Sequence, residues 1–213
     1  MVRISLAAVA FVVLVPVHAF SQSQDVSKFE VAGEFTTLGR EAFPGTRVEP
    51  GFGGRVTYNI NRHFGVEGAA YLFPRRCLDC SNNGRIVAAV GGIKVGKRFE
   101  TWGIFAKARP GIVSFSEGDI NVMRSNAGPF PIEIEFNRLN AFATDLGGVV
   151  EFYPSKRVVV RFDAGDTIIH VGRRTRNFPR IDPVTETLDL VPFSIPSRTT
   201  HNFQFTVSVG FRF

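Results

Sequence analysis

The sequence predicts an all-β fold: an eight-stranded antiparallel up-and-down transmembrane β-barrel with short periplasmic turns and long extracellular loops. Three observations predict it. Beyond the first 27 residues the chain alternates apolar and polar residues at period two, segment after segment, with no helical periodicity. The connections between segments alternate in length, short then long. The two faces of the segments differ in kind, one apolar with aromatic ends and the other charged.

Composition agrees with this class. The chain has 213 residues, with 44% hydrophobic and 21% charged. That excludes a disordered tail and a bundle of membrane helices. The formal net charge is +6, and Phe is over-used at 22 residues against 3 Tyr and 1 Trp. With 2 Cys and 4 His there is little material for metal or nucleophile chemistry, which disfavours an enzyme. No cofactor is expected.

The N-terminus reads as a secretory signal. Met1-Val2-Arg3 is a charged start, Ile4 to Val17 is an apolar run, and Val17-His18-Ala19 is a small-residue cleavage site. The run is shorter than the roughly 20 apolar residues of a spanning helix. Residues 1–19 are therefore expected to be a signal peptide, with Ser21 as the alternative cleavage position. Residues 20–27 form a short N-terminal segment, and 28–213 form the barrel.

The strands follow in order. The first sets Phe29, Val31, Gly33 and Phe35 against Lys28, Glu30, Ala32 and Glu34. The second sets Phe52, Gly54, Val56, Tyr58 and Ile60 against Gly53, Arg55, Thr57 and Asn59. The third sets Phe64, Val66, Gly68, Ala70 and Leu72 against Gly65, Glu67 and Tyr71. The fourth is weaker, with Val87, Ala89, Ile93 and Val95 opposite Ala88, Val90 and Lys94. The fifth sets Trp102, Ile104, Ala106 and Ala108 against Phe105, Lys107 and Arg109. The sixth sets Phe142, Thr144, Leu146, Val150 and Phe152 against Asp145, Gly147 and Glu151. The seventh sets Val158, Val160, Phe162 and Ala164 against Val159, Arg161 and Asp163. The last sets Phe203, Phe205, Val207, Val209, Phe211 and Phe213 against Asn202, Gln204, Thr206, Ser208 and Arg212. Each is close to the roughly 9–11 residues that cross a bilayer at a tilt. Short turns are expected near Asn61–His63, Arg98–Thr101 and Pro154–Lys156. Long loops are expected over about Gly39–Gly51, Pro74–Gly84, Ser116–Arg138 and Ile168–Thr200.

The faces decide between a membrane barrel and a soluble one. A lipocalin-like barrel is apolar inside and polar outside. Here the polar face carries Glu30, Glu34, Glu67, Asp145, Glu151 and Asp163 against Arg55, Lys94, Lys107, Arg109, Arg161 and Arg212, six acids for six bases. A narrow closed lumen needs that balance, because an unpaired buried charge is costly. The lumen is expected to be a packed salt-bridge and hydrogen-bond network, since eight strands enclose only enough room for side chains. The turn near residue 100 brings Lys94 opposite Lys107, a repulsive pair. Glu67 and Glu151 on flanking strands are placed to neutralise it. The apolar face is the lipid band, with Phe29, Tyr58, Phe64, Trp102, Phe152 and Phe211 near the turn side and Phe35, Phe52, Phe142 and Phe203 near the loop side.

The chain ends at Phe213 with an apolar residue at every second position back to Phe203. In strand pattern, strand count and this terminus, the chain resembles small outer-membrane barrels of the OmpA/OmpX type over residues 28–213, and a barrel without a peptidoglycan-binding domain is expected. The resemblance implies a bacterial outer-membrane location among outer-membrane lipids. It also implies that the last strand (Phe205, Val207, Val209, Phe211, Phe213) is read by the barrel assembly machinery, with periplasmic chaperones escorting the unfolded chain. A monomer is expected.

Cys77-Leu78-Asp79-Cys80 falls in the second long loop. In an oxidising compartment, a disulfide between Cys77 and Cys80 pinning the loop is the expected state. Half a zinc site and a redox pair are the alternatives. Some outer-membrane barrels are enzymes. The lipid A deacylase pattern pairs a His with a Ser two positions later, but Gly172 follows His170 and Phe203 follows His201 at that spacing. There is no Gly-x-Ser-x-Gly. Arg173, Arg174, Arg176 and Arg180 form a basic run in the last loop, suited to anionic surface polysaccharide, lipid phosphates or a host polyanion, with a solvated loop that binds nothing as the alternative. Pro and aromatic residues around the run predict partial order. Nucleic-acid binding is not expected, because no recognition fold is present. The function expected is structural or surface contact through loops. A narrow or gated channel is the alternative, and a lipid-modifying enzyme is further off.

Overall fold

A computed structural model describes residues 27–41, 46–74, 84–124, 132–181 and 188–213. The expected signal peptide at 1–19, and both Cys77 and Cys80, lie outside the described residues.

Among the described residues there are eleven strand segments: β1 (Phe29–Glu41), β2 (Thr46–Asn59), β3 (Phe64–Phe73), β4 (Ile86–Arg98), β5 (Trp102–Arg124), β6 (Ile132–Phe152), β7 (Val158–Val171), β8 (Arg174–Ile181), β9 (Leu188–Ile195), β10 (Arg198–Thr200) and β11 (Phe203–Arg212). Consecutive antiparallel pairing runs from β1 to β7, then β7 to β11 and β11 back to β1. β10 and β11 both lie beside β7, as two parts of one wall strand interrupted at His201–Asn202. The result is a closed eight-stranded up-and-down barrel. Closure removes the sheet edges and pairs every wall strand on both sides, as a bilayer demands. The seam is tied at its end by Phe213 N donating to Phe29 O at 2.8 Å.

The three short turns fall where expected, each with a local cause. Asn61 Oδ1 accepts from the backbone N–H of His63 and Phe64 at 2.8 and 2.9 Å, an Asx turn between β2 and β3. Phe99 stacks on Trp102 with ring centroids 4.3 Å apart, and its N–H donates to Trp102 O. Ser155 Oγ accepts from Val158 N at 3.1 Å.

Three of the four long connections differ from expectation: their described residues are largely strand rather than loop. Of the fourth, Pro74–Gly84, residues 75–83 lie outside the described residues. β1 and β2 pair as far as Glu41 and Thr46. β5 and β6 pair out to Arg124 and Ile132, past an irregularity between Phe115 and Asp119. β8 and β9 form a separate two-stranded sheet within the last connection. The reason is that once the barrel fixes two strands side by side, their continuation costs little extra entropy and gains ladder hydrogen bonds. Pro179 and Pro192 lie within β8 and β9, tolerated because both strands of a two-stranded sheet are edges.

The faces fall as the alternation predicts. All ten aromatics assigned to the two girdles are exposed on the outer wall, and Phe29 pairs with Tyr58, Phe35 with Phe52, and Trp102 with Phe152. Phe205, Val209 and Phe211 face outward on β11, and Phe213 is exposed beyond it. The charged set faces inward and is buried.

Candidate functional site

The lumen has two layers. The turn-side layer is the charged network. Glu67 of β3 is its hub: Arg161 holds it with both terminal nitrogens, one at 3.1 Å, while Arg109 approaches to 3.5 Å and Arg55 and Lys94 to 3.9 Å. Glu34 accepts from Arg55 Nε at 2.8 Å. Glu30 faces Arg55, Lys94 and Arg98 at 3.7, 3.8 and 3.3 Å. Asp145 takes Lys107 Nζ at 2.9 Å and Arg109 Nε at 3.0 Å. Asp163 takes Arg161 Nε at 2.6 Å and lies 3.6 Å from Lys107.

The Lys94–Lys107 opposition occurs in the register as expected. Its relief is divided. Lys94 pairs closely with Glu151 and has Glu67 nearby, whereas Lys107 turns to Asp145 and Asp163. Each lysine leans toward its own carboxylates, so the like charges separate.

Two differences concern the bases. Arg98, expected in a turn, ends β4 and ion-pairs with Glu30 and Glu151, both at 3.3 Å. The parity that carries Lys94 inward carries Arg98 inward too, so the signal was present in the sequence. Arg212 takes other partners: its guanidinium lies 4.3 Å from the Tyr153 ring centroid, and Nη2 donates to Ser155 O at 2.9 Å. It lies at the turn-side mouth, where the chain passes from wall to turn.

The loop-side layer corrects the expectation of a wholly polar lumen. Leu38, Ala69, Tyr71, Phe73, Ile86, Ala88, Val90, Val113, Phe115, Ala141, Ala143 and Ile169 form one buried apolar cluster inside the barrel. The inward residues of β3 and β4 change from charged to apolar along each strand. That change is why the fourth segment reads weakly in the sequence. A cavity of about 10 Å³ lies where the layers meet, against Leu38, Phe73, Asp145, Thr167 and Gln204, room for about one water. Above the charges, Thr167, Gln204, Thr36 and Thr206 are linked through side-chain hydrogen bonds on the β7, β11 and β1 walls.

The basic run of the last connection is divided by the β8–β9 hairpin. Arg174 and Arg176 turn onto Asp119 of β5, whereas Arg173 and Arg180 are exposed. Arg180 lies opposite Asp189 across the hairpin, and Phe178 packs edge-on against Phe193 at 5.7 Å. His170 and His201 form two separate polar pairs at the loop-side rim. His170 Nδ1 lies 2.9 Å from Thr199 Oγ1, and His201 Nδ1 lies 2.5 Å from Asp166 Oδ2. Asp166 sits beside Leu146 and Phe203 in the register, an acid on the outer wall that the alternation did not single out. Among the described residues no group of three or more His, Cys, Asp or Glu is placed to hold a metal ion.

No family model matches the chain, and no curated protein matches it. Solved structures do. Neisserial surface protein A is similar at 12% identity and a TM-score of 0.49, covering 89% of this chain and 100% of that one. Ail, the attachment invasion locus protein of Yersinia pestis, solved with the heparin analogue sucrose octasulfate, is similar at 14% identity and 0.43, covering 87% and 97%. The outer membrane protein OprG from Pseudomonas aeruginosa is similar at 9% identity and 0.44, covering 88% and 97%. The eight-stranded ring described above stands on this chain's own hydrogen-bond register.

Proposed function

We propose that this chain works in the bacterial outer membrane as a sealed, non-enzymatic barrel that supports the membrane and carries surface contacts on its extracellular hairpins. The two-layer lumen is the observation that supports the reading. Among the described residues, an interior filled by ion pairs at one end and by Phe73, Ile86 and Phe115 at the other leaves no open pore through the barrel. The surface left for function lies beyond the wall, where loops on a rigid scaffold usually carry it.

On this reading β5–β6 and β8–β9 are the working elements, and the partner is an anionic surface polysaccharide or similar polyanion met by Arg173, Arg174, Arg176 and Arg180. The outward apolar series of β11 serves the assembly machinery after chaperoned passage through the periplasm. The test is fractionation with a boiled-versus-unboiled gel, followed by planar-bilayer recording and binding to immobilised dextran sulfate. A heat-modifiable outer-membrane band, no conductance steps and retention on dextran sulfate are expected. Steady conductance would move the function into the lumen and make the chain a narrow channel.

A further inference from the structure

Two guanidinium groups converge on one carboxylate where the β8–β9 hairpin meets β5. Arg176 Nη2 contacts Asp119 Oδ1 closely, and Arg174 Nε approaches the same oxygen to 3.8 Å. The cluster carries a net positive charge. Arg174 Nε and Nη1, Arg176 Nε and Asp119 Oδ1 itself are buried atoms without a hydrogen-bond partner among the described residues, so the carboxylate does not satisfy the two forks. Buried N–H donors without acceptors are costly, and guanidinium groups do not shed their protons. Burial and the neighbouring Arg176 both push the Arg174 pKa down, against the pull of Asp119. Two forks with spare donors suit a tetrahedral oxyanion, which accepts bidentate bonds from each.

The position selects the source of the anion. Asp119 lies past the last β4–β5 pair, Ile86 with Phe115. It pairs with Asn137, which shares the parity of Leu139 and the inward-facing Ala141 of β6. The cluster therefore faces the space over the barrel mouth and not the lipid band. A chain in solution reaches it more readily than a lipid headgroup in the bilayer plane.

We propose that Arg174 and Arg176 form a subsite for one sulfate or phosphate monoester group of an anionic polysaccharide, with Asp119 holding the two forks in place of that group until it binds. The proposal rests on the polyanion reading of the loops. It makes an unusual demand: the acid is a competitor, so removing its charge strengthens binding.

The test uses the full mature barrel refolded in detergent, with fluorescent dextran sulfate as the probe and neutral dextran as the control. Heat-modifiability on a gel shows that each variant is folded. Arg176→Gln is expected to weaken binding roughly tenfold and Asp119→Asn to tighten it roughly tenfold, about the effect of one charge-assisted hydrogen bond. Arg176→Lys, which keeps charge but loses the fork, falls between wild type and Arg176→Gln. If Arg173→Gln with Arg180→Gln abolishes binding while Arg176→Gln and Asp119→Asn leave it unchanged, the subsite is overturned and the polyanion reading survives. Weaker binding by Asp119→Asn also overturns the subsite. A folded wild-type barrel that ignores dextran sulfate overturns the reading and the subsite together. Binding to phosphatidylglycerol vesicles but not to dextran sulfate overturns the polysaccharide assignment.

Discussion

Glu67 touches or approaches four bases on four other strands, Arg55, Lys94, Arg109 and Arg161. Its loss should be felt across the barrel. Glu67→Gln leaves buried guanidinium charge uncompensated and is expected to cost about 3–5 kcal/mol, read from urea unfolding in detergent or lipid. Pairing it with Arg161→Met should recover part of that loss, because an apolar replacement removes the stranded charge. Glu151→Ala should likewise lower the unfolding temperature, since Lys94, Arg98 and Arg161 share that carboxylate. Most of this network was legible in the sequence, because charge at every second position points to one face. Arg98 escaped because it borders a turn, and the divergent partners of Lys94 and Lys107 escaped because side-chain reach across three strands is not encoded in spacing.

At the scale of elements, the register of β6 on β7 places Gly147 opposite Gly165. A Cβ on Gly165 would lie 2.2 Å from Leu146 O and 2.7 Å from Gly147 Cα, so the strands approach too closely for a side chain there. Gly165→Ala is expected to destabilise by about 1–3 kcal/mol and to reduce the heat-modifiable fraction on a gel. A second element-scale result is the reach of β5 and β6. They have 23 and 21 residues. Since about 9–11 suffice for the bilayer, roughly 12–14 residues of β5 and 10–12 of β6, on the order of 30–45 Å of strand, extend beyond it. The sequence obscured this extension. Ser116–Arg138 breaks the alternation with a bulge and with residues of mixed polarity, and strands clear of lipid need no apolar face. The β8–β9 hairpin was hidden for the same reason, although its Pro and aromatic residues did signal order.

For the molecule as a whole, the wall was the most legible part, because lipid on one side and packed charge on the other impose strict alternation on every strand. The lumen was half legible. Apolar inward residues such as Ile86, Ala88 and Val90 read the same as a lipid-facing run, and only the closed ring shows that they fill the interior. Planar-bilayer recording is expected to give no conductance steps, as the two layers predict. Phe213→Ala keeps the main-chain tie to Phe29 but removes the exposed terminal ring. It is expected to lower the assembled fraction in cells more than the stability of barrel already folded, measured by comparing outer-membrane yield with unfolding midpoint.

The burial of the ion pairs has one more consequence, and it concerns ionic strength. Mobile ions screen charges in solution over roughly 8 Å at physiological salt, but they do not enter a packed interior. Raising salt from dilute buffer to 1 M should therefore leave the unfolding midpoint of the wall almost unchanged. The same change should release a polyanion held by the arginines of the last connection, which lie at the solvent-facing end of the barrel. Brine should thus separate scaffold from partner: the barrel is expected to persist at either salinity, while the proposed polyanion contact is expected to weaken as salt rises.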